Sequence, residues 1–234
     1  HGEERQRVEA GERVAANLAG ISREDLSRGQ QILSPGPWTS TQLITVNLEL
    51  LVSAPGALDE GDEVEVHALA ARVSGRVDRL SRRPLEPGTR ATAQLLLREP
   101  MLLFPGDRVV LRRPSPVNTF AGGKVMDPHL RRWRRRDSAA LDDLPTPQRS
   151  NWPQLLLSWI EAEGLAGLLL PAIAGRLGVL EEAIEAPLGR LIEDGTIRPI
   201  SSQPPRFVAT SQIERLAEEA AAALKQRLAD AEVS

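Results

Sequence analysis

The chain has 234 residues, room for one large domain or two small ones, and its formal charge of −3 from 29 basic and 32 acidic residues excludes a polyanion binder working by bulk charge. Aromatic residues make up only 3% of it, so its cores must be built from Leu, Val, Ile and Ala. Cysteine is absent, which removes disulfides and thiolate metal sites and fits a reducing compartment. No run approaches the roughly 18 apolar residues of a membrane span, and no leader pattern opens the chain, so a soluble cytoplasmic protein without a membrane partner is the expectation. The sequence begins at His1 rather than Met and runs straight into patterned segments, as an interior piece cut from a longer protein would.

Residues 1–37 carry short extended candidates at Val14–Leu18 and Gln30–Leu33, set off by Gly20 and Gly29. Between them Ser22 can cap a helical turn whose first positions hold Glu24 and Asp25. Two or three short strands do not make a stable sheet alone, so this stretch needs a partner, as the remnant of a larger barrel would.

Residues 38–128 read as all-β. Strands are expected at Leu43–Val52, Asp62–Ala68, Ala71–Leu80 with a break at Gly75, Gly88–Leu97, Gly106–Arg112 and Gly123–Met126. Val64 and Val66 alternate against Glu63, Glu65 and His67, and Ala91, Ala93 and Leu95 share one side. Turn signals (Pro55-Gly56, Glu60-Gly61-Asp62, Pro87-Gly88, Pro105-Gly106-Asp107) bound the strands, which is the pattern of a small closed barrel or sandwich.

Residues 129–151 form a linker, an Arg-rich half compatible with a helix followed by a Pro-rich half. Arg131, Arg132, Arg134, Arg135 and Arg136 surround Trp133, and guanidinium forks suit phosphate; the competing reading is a solvated linker helix paired to its neighbours. In residues 152–210 the period lengthens. Leu155, Leu156, Trp159 and Ile160 make one helical face; Leu169–Leu177 and Leu180–Asp194 are two more helices, then strands at Thr196–Ile200 and Arg206–Ala209. That order is a winged helix-turn-helix. Its third helix has Glu181, Glu182 and Glu185 at the front, a lone Arg190 later and an interrupting Pro187, which favours a spacer or protein-contact module over a reader of nucleic acid. Residues 211–234 predict an amphipathic helix through Ile213, Leu216, Ala220, Leu224 and Leu228, leading toward a further domain.

The block Ala10–Ile21, followed by Asp25-Leu-Ser-Arg-Gly29, resembles the end of the second domain of elongation-factor-Tu-type translational GTPases, in wording close to the bacterial selenocysteine-specific elongation factors. Pro105–Arg112, Ser115-Pro116 and Gly122–Pro128 resemble the end of that family's third domain. The resemblance implies a multidomain chain: the tail of domain II, a domain III β-barrel, and an α+β winged-helix domain. It implies an intact GTPase that binds GTP and Mg, carries selenocysteyl-tRNA to a ribosome at a UGA codon, and grips an mRNA hairpin through further winged domains. The third domain would contact the protein's own G domain and the tRNA. It assigns structural and interdomain roles to Gly11, Gly20, Gly29, Gly106, Asp107, Arg112, Gly122, Gly123, Asp127 and Pro128. The resemblance would give RNA contact to Arg76; for Arg131–Arg136 that reading rests on the guanidinium run itself, the family position being a joint between barrel and winged domain. His67-Ala-Leu-Ala70 departs from the family's H-x-G-T pattern ahead of Arg76.

No G-x-x-x-x-G-K-[ST] element is present, so no cofactor is expected in these residues, and no catalysis. Three scattered His (His1, His67, His129) without Cys give no metal site. Two other classes stay open: a scaffold or transcriptional module binding protein or DNA, and an enzyme with a site between barrel and helices. The second lacks a coupled acid–base set.

Overall fold

The computed structural model describes residues 7–9, 11–113, 118–144 and 147–232. Six antiparallel strands, β1 (Thr41–Leu50), β2 (Glu63–Ala68), β3 (Ala71–Leu80), β4 (Arg90–Met101), β5 (Arg108–Arg113) and β6 (Asn118–Asp127), close into a barrel in the order β1-β4-β3-β2-β5-β6. Alternation puts Ile44, Val46, Leu48 and Leu50 of β1 inside with Val64, Val66, Val73, Val77, Ala93, Leu95, Val109 and Leu111. Closure pairs every strand on both sides and leaves no open edge. Two expectations change. β3 runs unbroken through Gly75, where the Leu96 carbonyl of β4 comes so near that a Cβ would sit 2.7 Å from it; the glycine serves close strand approach, not a break. β6 is longer than expected, because from Asn118 on its residues pair antiparallel with Arg113, Arg112 and Leu111 of β5 and, from Ala121, with β1 as well.

Val14–Leu18 and Gln30–Leu33 do not form strands. The stretch keeps one 3-10 turn at Arg23–Asp25, with the Ser22 hydroxyl donating to Asp25 at 2.7 Å, and exposes Val14, Ile21, Ile32 and Leu33. From Arg28 onward it runs along the barrel: Arg28 donates to the Ala70 carbonyl and the Gln31 amide to that of Leu102.

After the barrel come α1 (Trp152–Glu163), β7 (Leu168–Leu169), α2 (Leu170–Leu177), α3 (Glu182–Glu193), β8 (Ile197–Ser202), β9 (Pro205–Ala209) and α4 (Thr210–Glu232). The sheet order is β7-β9-β8; the two-residue β7 is too short to leave a period in the sequence. A second core of Leu155, Leu156, Trp159, Ile160, Ile173, Ile184, Leu188, Leu191 and Phe207 holds this module. α3 continues through Pro187, contrary to the expected interruption. α4 leaves Leu216 and Leu224 exposed.

Candidate nucleic-acid interface and interdomain joint

Among the described residues, the buried polar or charged ones are Thr45, Asp78, Thr92, Gln94, Asp127 and Arg176. Strand alternation points the first four out of the barrel, where they would meet water unless something covers them. The cover is the segment that leaves β6, residues 129–144. Its Arg131 carbonyl accepts from the Gln94 amide at 3.0 Å, the Trp133 N–H donates to the Gln94 side-chain oxygen at 2.8 Å, and Arg79 donates to the Trp133 carbonyl at 3.0 Å. Arg132 grips Asp78 with two guanidinium nitrogens, Nε at 2.6 Å. A 3-10 stretch, Arg135–Asp143, then buries Leu141 and brings Asp142 to the Ser81 hydroxyl (2.6 Å), the Thr92 N–H (3.0 Å) and Arg82 (3.2 Å). These bonds hold the Asp142 carboxyl below its ordinary pKa even though partial burial pushes it upward.

This corrects the reading of the Arg run as a linker helix. Residues 131–134 are extended because the barrel's outer wall takes their backbone groups, and only the part from Arg135 coils. Arg131, Arg132, Arg134 and Arg136 are all exposed, but Arg132 is tied down by Asp78. Arg131, Arg132, Trp133 and Arg134 line one open groove. Arg76 is not part of it; it lies on the outer face of β3 in a separate depression with Glu63 and Arg98, which pair at 2.8 Å. Arg135 has its backbone in the 3-10 stretch.

The other two buried charges make the joint between barrel and helical module. Arg176 of α2 donates to both carboxylate oxygens of Asp127 at the end of β6, Nε at 3.0 Å, and its guanidinium lies 4.1 Å from the centre of the Trp159 ring. The His129 N–H, just past Pro128, donates to the same carboxylate at 2.8 Å. Burial depresses the His129 imidazole pKa; Asp127 opposes that shift and Arg176 adds to it. Nearby, α2 sits so close to the Pro37 carbonyl that only Gly175 fits, and Gly178, in the left-handed region at φ 72°, ends α2 against the Phe104 ring. Trp38 packs edge-on to Phe104 at 5.7 Å. A cavity of about 420 Å³ remains between strap and α1, lined by Met126, Leu130, Trp133, Leu144, Leu155 and Trp159 among others.

Of the other expected positions, Gly11, Gly20, Gly29 and Gly106 all adopt positive φ; Gly29 packs on Ala71. Asp107 closes the β4–β5 turn by accepting from the Phe104 N–H at 2.9 Å. Arg112 lies opposite Glu65, and Gly122 and Gly123 lie in β6 between β5 and β1. Ser115-Pro116, Pro145-Thr146 and His1 fall outside the described residues. Sequence reading missed Asp78, Gln94, Asp142 and Arg176. The usable signal was a set of polar residues at strand positions together with an apolar Leu141 in the segment that follows the charged run. No group of metal-ligating residues and no helix long and apolar enough to cross a membrane occurs among the described residues.

Comparison with known proteins agrees with this geometry. Residues 44–132 match the family model for the selenocysteine-specific elongation factor, beta-barrel domain, whose end falls inside the strap at Arg132. A selenocysteine-specific elongation factor of Desulfomicrobium baculatum is 33% identical over 168 residues, 72% of this chain and 26% of the relative. The factor of Haemophilus influenzae is 29% identical over 136 residues (58% and 21%), and that of Escherichia coli 34% over 121 residues (50% and 17%). The chain thus spans about a quarter or less of the curated relatives it matches. Through its barrel and these relatives, the chain belongs to the selenocysteine-specific elongation factor family.

Proposed function

We propose that this chain serves as the RNA-contact and spacer portion of a factor that delivers selenocysteyl-tRNA to the ribosome at UGA codons. GTP hydrolysis, with its Mg, would belong to the factor's own G domain, and an mRNA hairpin would be held by further winged domains. The observation that carries the reading is the barrel with its strap: a family-specific barrel whose basic segment is held against the wall while Arg131 and Arg134 stay exposed. We read the helical module as a winged helix, β8 and β9 forming the wing. Glu182 and Glu185 in the first turn of α3 repel phosphate and suit a spacer better than a reader.

Fluorescence anisotropy tests this with the chain and three probes: a selenocysteine tRNA transcript, an ordinary elongator tRNA and a DNA duplex. Binding that favours the first, weakens with salt, and drops when Arg131, Arg134 and Arg136 are changed to Gln is the expected result. Equal or stronger binding to the DNA duplex would instead favour a transcriptional module.

A further inference from the structure

The cavity of about 420 Å³ at the joint is divided between two modules. The strap contributes Leu130, Trp133 and Leu144 to its wall, and α1 contributes Leu155, Ser158 and Trp159. Each wall thus carries one indole, and the hydroxyl of Ser158 is already committed as a donor to the Leu155 carbonyl at 2.8 Å. Close-packed interiors leave few voids larger than a water molecule, so a mostly apolar hollow of this volume has the size and character of a small-molecule site.

Two features of the wall indicate what it would hold. The Trp133 Nε1–H is buried and has no acceptor among the described residues, although the N–H and carbonyl of its own backbone are both used, by Gln94 and Arg79. A buried donor left unmet costs free energy, which an acceptor brought into the cavity would recover. The second feature is charge. Glu161 and Glu163 line the rim, both exposed, and neither has an ion-pair partner among the described residues. They stand in the last turn of α1, where the helix dipole is itself negative, and that turn holds no basic residue. Arg131 offsets one of the two carboxylates, and Arg176 is neutralised by Asp127. Burial depresses the His129 pKa, so its ring adds no positive charge at neutral pH. The rim therefore keeps an excess of negative charge where a helix end favours a cation.

We infer that the cavity between strap and α1 is a binding site for a small organic cation. Its ligand has a flat aromatic body that lies between the Trp133 and Trp159 walls, an acceptor atom on that body for the Trp133 indole N–H, and an ammonium group at the Glu161–Glu163 rim. Half of the wall belongs to the barrel's strap and half to the helical module. An occupant therefore ties the two together and reinforces the joint that Asp127 and Arg176 make. Neither the site nor the class of its ligand rests on the RNA reading above.

The test uses the whole chain, isotope-labelled for NMR, and three matched probes. 4-(Aminomethyl)quinoline has all three features, 1-(aminomethyl)naphthalene lacks the ring acceptor, and quinoline-4-carboxylate reverses the charge. The sequence has four Trp, hence four indole N–H peaks, and Trp133→Phe identifies the one to follow. The quinoline amine should shift the Trp133 peak downfield to saturation. It should bind about threefold to tenfold more tightly than the naphthalene amine, the span of one neutral hydrogen bond. Trp133→Phe should erase that advantage while leaving the naphthalene amine's affinity unchanged. Glu161→Gln/Glu163→Gln should weaken both amines, and the carboxylate should bind the wild-type chain least. Ala162→Trp, at an exposed position on the α1 wall, should block both amines; if that variant melts early, Trp133→Phe still decides the matter. Failure of every probe to bind the wild-type chain overturns the site, as does binding that neither variant alters. Equal affinity for all three probes overturns the ligand class. A Trp133 peak that moves with protein concentration before any probe is added gives the cavity to a second copy of the chain and overturns the inference too.

Discussion

One part of the barrel's outer wall is covered and another is bare, and their polar residues follow opposite rules. Beneath the strap, the buried Thr45, Thr92 and Gln94 are neutral, and the one fully buried charge there, Asp78, has Arg132 on it. On the β5–β6 face Arg108 and Lys124 stand opposite each other with no partner among the described residues. Burial makes an unpaired polar group expensive, so on the covered wall the Thr45, Gln94 and Asp78 side chains are each in a bond or ion pair and the Thr92 N–H donates to Asp142. Solvent makes an unpaired charge cheap, so the bare wall can keep an arrangement that does nothing for folding.

Breaking the covered side should have the largest effect. Asp127→Ala leaves Arg176 buried over Trp159 without its carboxylate, and losing one partner of such a pair costs about 3–5 kcal/mol. Urea unfolding followed by hydrogen exchange should show α2 losing protection first, with the barrel strands retaining theirs. Adding Arg176→Met should recover much of the loss, because the penalty is an uncompensated charge rather than a missing attraction. If the double variant is no better than the single, the pair contributes more than registry between barrel and module.

Acid should separate the joint from the strap. His129 has a folded pKa below the ordinary imidazole value of 6.5, so the unfolded chain takes a proton first; its contribution is present above that value and fades as pH falls below it. Asp142 is also depressed, from 3.8, so the stabilisation from its bonds to Ser81, Thr92 and Arg82 persists until pH falls below the ordinary carboxylate value. Hydrogen exchange at stepped pH should therefore show the joint loosening near pH 6 and the strap holding to about pH 4. His129→Gln should remove the first step alone.

The barrel was legible in the sequence because water on one side of a strand enforces alternation, and the inward valines and leucines carry that signal locally. The covered wall was not legible for the same reason. Gln94 and Asp78 look like solvent-facing polar residues, and their cover arrives 37 to 54 positions later. The Arg run was likewise compatible with a helix, since composition cannot tell that Gln94 and Arg79 will take its backbone groups. Arg176 and Asp127 are 49 residues apart, and each reads as an ordinary surface charge. At Val14–Leu18 the alternation was present, but a strand needs a neighbour and none of the described strands pairs with it. Gly122-Gly123 could be noticed as a pair, but only the neighbouring backbone separates the glycine that packing demands from the one it does not.

The smallest effects are the most discriminating, because their sign is unusual. Gly122→Ala replaces a strand-interior glycine where the new methyl meets only an ordinary contact, and should stabilise the chain by about 0.5–1 kcal/mol. Arg108→Gln/Lys124→Gln relieves a like-charge cross-strand pair and should add about 0.2–1 kcal/mol at low salt, less as salt screens the repulsion. Thermal unfolding of each variant beside Asp127→Ala gives the comparison its sharpest form. Residues kept for folding lose stability when changed, whereas residues that solvent merely tolerates leave room for improvement. A fall in melting temperature in either variant would show that the bare face, like the covered one, is held by its own packing.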